Sequence, residues 1–86
     1  MTDKIKFYQI NLNKCEGAQV NLMVELAKLK AQFVCLIQEP HFYGVKPSSI
    51  DKSCMQVLHG TGTKQHWPRA MIVASKNLKL SQIEAL

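Results

Sequence analysis

No segment of this chain approaches the ~18 consecutive apolar residues of a membrane-spanning helix. Its first residues, Met-Thr-Asp-Lys-Ile-Lys, lack the apolar stretch of a secretory signal. The expectation is an intracellular chain with no membrane partner. Cysteine is sparse and unpaired in pattern: Cys15, Cys35 and Cys54 are odd in number, stand about twenty residues apart and include no Cys-x-x-Cys, which points to reduced thiols rather than a disulfide framework. A zinc site can be drawn from Cys54, His59, His66 and His41, but the close ligand pairs of such sites are missing, so zinc is set aside. There is no basic run either. The formal charge of +5 would suit an anionic partner, yet the 11 lysines and arginines are dispersed from Lys4 to Lys79, and solvated faces account for most of them. Internal repeats, low-complexity tracts and domain boundaries are all missing, and 86 residues make one small domain or part of a larger one.

What the chain does hold is a short buried strand with a carboxylate at its end. Phe33-Val-Cys-Leu-Ile is an unbroken apolar run, as expected of a strand buried on both faces, and it is followed by Gln38, Glu39 and Pro40. Proline cannot continue a central ladder and biases the residue before it toward an extended conformation, so the strand is expected to span 33–39 with Glu39 extended at its mouth. Residues 5–12 alternate, placing Ile5, Phe7, Gln9 and Asn11 on one side and Lys6, Tyr8, Ile10 and Leu12 on the other. Between these strands, a polar connection at 13–17 leads to a helix expected over 18–31. Its apolar stripe is Ala18, Leu22, Leu26 and Leu29, widened by Val20, Val24, Ala27 and Ala31, with Lys28 and Lys30 in the last turn and Glu25 paired with Lys28.

Strand, helix and buried strand in that order make a right-handed unit with parallel strands. Both strands then end on one edge of the sheet, so Asn11 and Glu39 should meet at the same rim, close enough to share a metal ion or a bridging water. Farther on, 41–53 reads as a long irregular surface loop, 55–59 as a short strand, and 69–75 as a second buried strand. Gly60-Thr61-Gly62-Thr63-Lys64 lacks the spacing of a phosphate loop and reads as a hairpin connection. Residues 76–86 form a polar tail that opens with a turn at Lys76-Asn77.

Gln9-Ile10-Asn11-Leu12-Asn13, a helix, and then Ile37-Gln38-Glu39-Pro40-His41 resemble the opening of the endonuclease domain of non-LTR retrotransposons, a branch of the endonuclease/exonuclease/phosphatase superfamily. Pro68-Arg69-Ala70-Met71-Ile72-Val73 is similar to a strand found downstream in that branch. The resemblance covers most of residues 5–75. It implies a four-layer α/β sandwich of which this chain (β-α-β-β-β) is the N-terminal, incomplete portion. It further implies Glu39 as a ligand of magnesium, with manganese as a substitute, and Asn11 beside the metal and the scissile phosphate. Gln38 would be a supporting group; His41 and Tyr43 are near enough in sequence to touch DNA but read better as loop filler. The implied partner is DNA, the implied reaction is hydrolysis of a phosphodiester to prime reverse transcription, and the implied site of action is the nucleus.

Later parts of such domains supply a catalytic tyrosine, an Asp-x-Asn pair and a terminal Ser-Asp-His; neither Asp-x-Asn nor Ser-Asp-His occurs here, and Asp51 is the only aspartate after residue 3. The expectation is therefore a fragment with half an active site, inactive alone and prone to self-association through an exposed sheet face. Two other classes stay open: a non-enzymatic α/β remnant that binds nucleic acid or another chain, and an unrelated domain without a metal.

Overall fold

The computed structural model describes residues 5–60 and 66–78. It is a mixed α/β fold with strands β1 (Lys6–Asn11), β2 (Phe33–Gln38), β3 (Phe42–Tyr43), β4 (Lys46–Pro47), β5 (Met55–His59) and β6 (Ala70–Ser75), and one helix, α1 (Glu16–Ala27). Four strands form a sheet in the order β1-β2-β6-β5, while β3 and β4 pair as a separate two-stranded ribbon. β1 runs parallel to β2, as a strand–helix–strand unit requires; β6 is antiparallel to β2, and β5 to β6. The antiparallel partnership of β5 and β6 agrees with a hairpin connection after His59, although residues 61–65 lie outside the described region. Leu78 N–H donates to the Ser75 carbonyl at 3.1 Å, closing the expected turn at Lys76-Asn77, and the rest of the tail is likewise outside the described residues. No helix among the described residues is long and apolar enough to cross a membrane.

The register sorts the side chains into two unlike faces, because residues opposite one another in a ladder share a face. Phe33, Cys35 and Ile37 of β2 lie beside Val73 and Met71 of β6 and Met55 of β5, and all are buried. Met23 and Leu26 of α1, together with Leu12 and Phe42, close over them to form the core. The opposite face carries three rows: Phe7, Val34, Ala74 and Gln56; then Gln9, Leu36, Ile72 and Leu58; then Asn11, Gln38 and Ala70 at the rim. No described element covers it, and Phe7 and Leu58 are 74% and 53% exposed. β2 is thus buried on one face and only half-buried on the other, where burial on both was expected. An apolar run looks the same in sequence whether its second face is covered by this chain or still open.

The helix departs from expectation in position and in the width of its buried face: the stripe Ala18, Leu22, Leu26 and Leu29 packs against the core as expected, but the widening residues Val20, Val24 and Ala27 are exposed. It starts at Glu16, whose carboxylate complements the helix dipole, and its first bond runs from Gln19 N–H to the Cys15 carbonyl. It ends at Ala27 because Lys6 N–H holds the Gln32 carbonyl at 2.9 Å beside the start of β1, so the chain must leave the helix early to reach Phe33. Lys28 is the C-cap rather than a residue of the last turn, yet still lies 3.6 Å from Glu25. Val20 and Val24 point to solvent, and the buried face is Gln19, Met23 and Leu26.

Gln19 accounts for the side on which the buried face extends beyond that stripe. Its amide is fully buried and binds the segment after β2: Nε2 donates to the carbonyls of His41 (2.9 Å) and Ser48 (2.6 Å), and Oε1 accepts from His41 N–H (2.7 Å). The stretch expected to be an irregular loop is therefore anchored. It contains the β3–β4 ribbon, turned at Gly44 with φ of 62°, and sends Phe42 into the core. Gln19→Leu removes the amide and strands buried backbone groups, and is expected to cost about 2–4 kcal/mol in chemical unfolding. Val24→Lys, on the face that sequence patterning would bury, should change stability by less than about 0.5 kcal/mol.

Candidate functional site

Asn11 ends β1 directly across from Gln38, and the Leu12 N–H continues the ladder to the Gln38 carbonyl at 2.9 Å. Asn11 and Glu39 consequently stand at one rim of the sheet, as the parallel pairing demands. Gln38 shares the open face with Asn11 and is exposed.

Among the described residues, four non-glycine residues have positive φ, and three of them are gathered at this rim: Asn13 (53°), Lys14 (58°) and Glu39 (52°). Each such conformation costs an L-residue roughly 1–2 kcal/mol, less for Asn, so it persists only where surrounding bonds dictate it. Those bonds are present. The Asn11 Oδ1 accepts from Asn13 N–H at 2.8 Å, forming a side-chain turn. Lys14 N–H donates to the Glu39 carbonyl at 2.7 Å, and Glu39 N–H donates to the Arg69 carbonyl at 2.8 Å. Glu39 is therefore not extended before Pro40. Its backbone is held between the β1–α1 turn and the entry to β6, and these tertiary bonds override the local preference that proline imposes. Its carboxylate is partly exposed, with Lys14 Nζ 3.9 Å from Oε2.

His41 and Tyr43 belong to a second cluster. The His41 Nδ1 lies 2.9 Å from Ser48 Oγ and 3.7 Å from Glu16 Oε2, while Tyr43 OH donates to the same Glu16 oxygen. His41 also meets Tyr43 and Trp67 edge-on at 5.0 and 5.1 Å. Serine, histidine and glutamate invite comparison with a nucleophilic triad, but both partners address one ring nitrogen and Ser48 is buried, so this is a clamp fixing the ribbon to the helix N-terminus. Sequence reasoning missed Gln19, Glu16 and Ser48 here; the only signal was a glutamine inside an otherwise apolar helix face.

Among the described residues, no three His, Cys, Asp or Glu side chains gather to hold a metal. Of the groups drawn for zinc, Cys54 Sγ donates to Asp51 Oδ2 at 3.5 Å and His59 Nδ1 lies 2.7 Å from the Gly60 carbonyl. The Asp51 loop, featureless in sequence, is an ordered turn: the Ser53 hydroxyl and N–H bind its carboxylate and hold it below the usual aspartate range. All three thiols are free, and burial pushes Cys35 up to about 11, which keeps it a neutral core thiol rather than a nucleophile at neutral pH.

Comparisons with protein-family models, with curated proteins and with solved structures yield no match. The rim must be judged on its chemistry. Glu39 and Asn11 supply oxygen donors, a carboxylate and an amide carbonyl with one lone pair left beyond its bond to Asn13. Hard oxygen donors with room for water suit magnesium, which retains several waters when bound by one or two protein groups.

If strain at Glu39 is retained for its side chain rather than for folding, glycine should be accepted there. Glu39→Gly is expected to leave stability unchanged or raise it by up to about 1 kcal/mol, since glycine adopts positive φ freely but loses more entropy on folding. Thermal unfolding measures this, and a clear loss of stability would mean that the carboxylate itself holds the rim together.

Proposed function

We propose that these residues form the first part of a magnesium-dependent DNA endonuclease domain of the non-LTR retrotransposon type, nicking a target strand to prime reverse transcription. The observation that carries this is the parallel β1–β2 ladder, which brings the asparagine of Gln9-Ile10-Asn11-Leu12-Asn13 to the rim occupied by the glutamate of Ile37-Gln38-Glu39-Pro40-His41. Two further features support it. The strained backbone is concentrated at that rim, and the sheet face left open carries Phe7, Val34, Leu36, Ile72 and Leu58, as the inner face of a sandwich would.

In this reading Glu39 anchors the cation, and Asn11 lends its carbonyl oxygen to the cation or its amide N–H to a phosphate oxygen. The bond from Asn13 N–H fixes which way that amide faces. Bound magnesium would polarise the phosphodiester and stabilise the departing oxyanion. The Lys14 ammonium, 3.9 Å from the Glu39 carboxylate, adds positive charge beside the place a phosphate would take.

One carboxylate and one amide do not make a complete catalytic set, because the attacking water still needs a base. The 86-residue chain is expected to leave supercoiled plasmid intact in magnesium, and the transcript beyond the codon for Leu86 is expected to encode Asp-x-Asn and Ser-Asp-His. Nicking by the chain that disappears in Glu39→Ala would show a self-sufficient enzyme. A reading frame that continues without those motifs would remove the family assignment.

The open face favours a second reading, a non-enzymatic module that binds through it. Under either reading, the isolated chain should self-associate. Leaving a few hundred Å2 of apolar face in water forgoes several kcal/mol at roughly 25 cal/mol per Å2, comparable to the whole stability of a small domain. Sedimentation should show concentration-dependent association, relieved by the pair Phe7→Lys and Leu58→Lys. A wild-type monomer melting sharply well above about 50 °C would show that the chain closes its own core.

A further inference from the structure

Lys14 is joined to Glu39 twice. Its N–H donates to the Glu39 carbonyl at 2.7 Å, and its ammonium lies 3.9 Å from the Glu39 carboxylate. The first contact, with the positive φ of both residues, fixes the direction in which the lysine side chain leaves the turn. The second contact adds little to folding, since an exposed pair at this separation contributes about 1 kcal/mol or less. The energetic reason for the strained arrangement therefore does not lie in the ion pair as a stabiliser.

We propose that Lys14 is the intrinsic counter-cation of Glu39 and competes with the divalent cation at the rim. The inference rests on the proposed role of Glu39 as a cation ligand. With the ammonium in place the carboxylate is already partly neutralised, and an incoming divalent ion must displace it or bear its repulsion. Binding is therefore an exchange: the cation takes the carboxylate, and the lysine, tethered through its backbone, turns to whatever anion accompanies the cation. A rim built in this way holds a bare divalent ion weakly and keeps a positive charge free for a phosphate once the ion has bound.

The test is Mn2+ binding by the 86-residue chain, followed by electron paramagnetic resonance of the free ion. Lys14→Met keeps the length of the side chain and the backbone preference of a non-glycine residue while removing the charge. It is expected to tighten Mn2+ binding roughly three- to tenfold at low ionic strength, and the gain should shrink toward none in about 0.5 M salt as the charges are screened. Lys14→Arg should bind as wild type does, and Glu39→Gln should abolish the Mn2+ binding in either background. Lys14→Gln serves as a second neutral variant, with circular dichroism confirming the fold of each. Unchanged or weaker binding in both neutral variants, or a Lys14→Arg chain as tight as Lys14→Met, overturns the inference while a Glu39-dependent wild-type affinity leaves the cation role standing. Binding that is the same in wild type and Glu39→Gln overturns both.

Discussion

The parallel ladder between β1 and β2 is the constraint on which the rest of this structure depends. β1 sits at the edge of the sheet and is exposed along its length, so little of its own burial holds it there. It is kept in place by backbone bonds to β2 that begin at Gln32 and end at Gln38, and by the helix that must cross from one strand to the next. Everything at the rim inherits that register. A slip of one residue would move Asn11 to the helix-covered face and take Phe7 and Gln9 with it. It would also separate the Asn11–Asn13 turn from the Glu39 carbonyl that Lys14 binds.

Much of this was legible in the sequence because it follows from periodicity and chain order. The alternation in β1, the apolar run of β2 and the helix between them were sufficient to set a parallel pair, and a parallel pair fixes which strand ends share an edge. What could not be read depends on tertiary partners. Gln19 looks like a solvent residue beside the leucine stripe until the backbone groups of His41 and Ser48 are placed against it; its buried amide extends the covered face by satisfying atoms 22 and 29 residues away. Glu39 looks extended because of Pro40, and becomes left-handed because the Lys14 N–H and the Arg69 carbonyl hold its peptide groups. In each case a local preference worth about 1 kcal/mol yields to hydrogen bonds whose loss in a buried setting would cost more.

The two faces of the sheet illustrate a different limit. On the helix side, side-chain alternation along β2 and β6 produces a closed core of large residues with no buried side-chain nitrogen or oxygen left unbonded among the described residues. On the other side the same strands offer Phe7, Leu36, Ile72 and Leu58 with nothing described above them. Hydrophobic patterning specifies that a surface is to be covered and is silent on what covers it. The middle of that face carries no charge, and the polar groups Asn11 and Gln38 stand at its rim.

That placement links the open face to the strained rim. Asn11 projects from the uncovered side, whereas the core and the aromatic clamp around His41 lie on the covered one, so a partner sheet packed over Leu36 and Ile72 would bring its own edge beside Asn11 and Glu39. The rim as described has a carboxylate already matched by a lysine and an amide already holding a turn, an arrangement that is stable without being chemically complete. Asn13, Lys14 and Glu39, none of them in the core, are retained there by hydrogen bonds to one another and to Asn11 and Arg69, which fix the backbone geometry of the rim. In the proposed reading, groups added to this rim would meet a backbone already fixed, with the exposed Lys14 ammonium beside the carboxylate they would share.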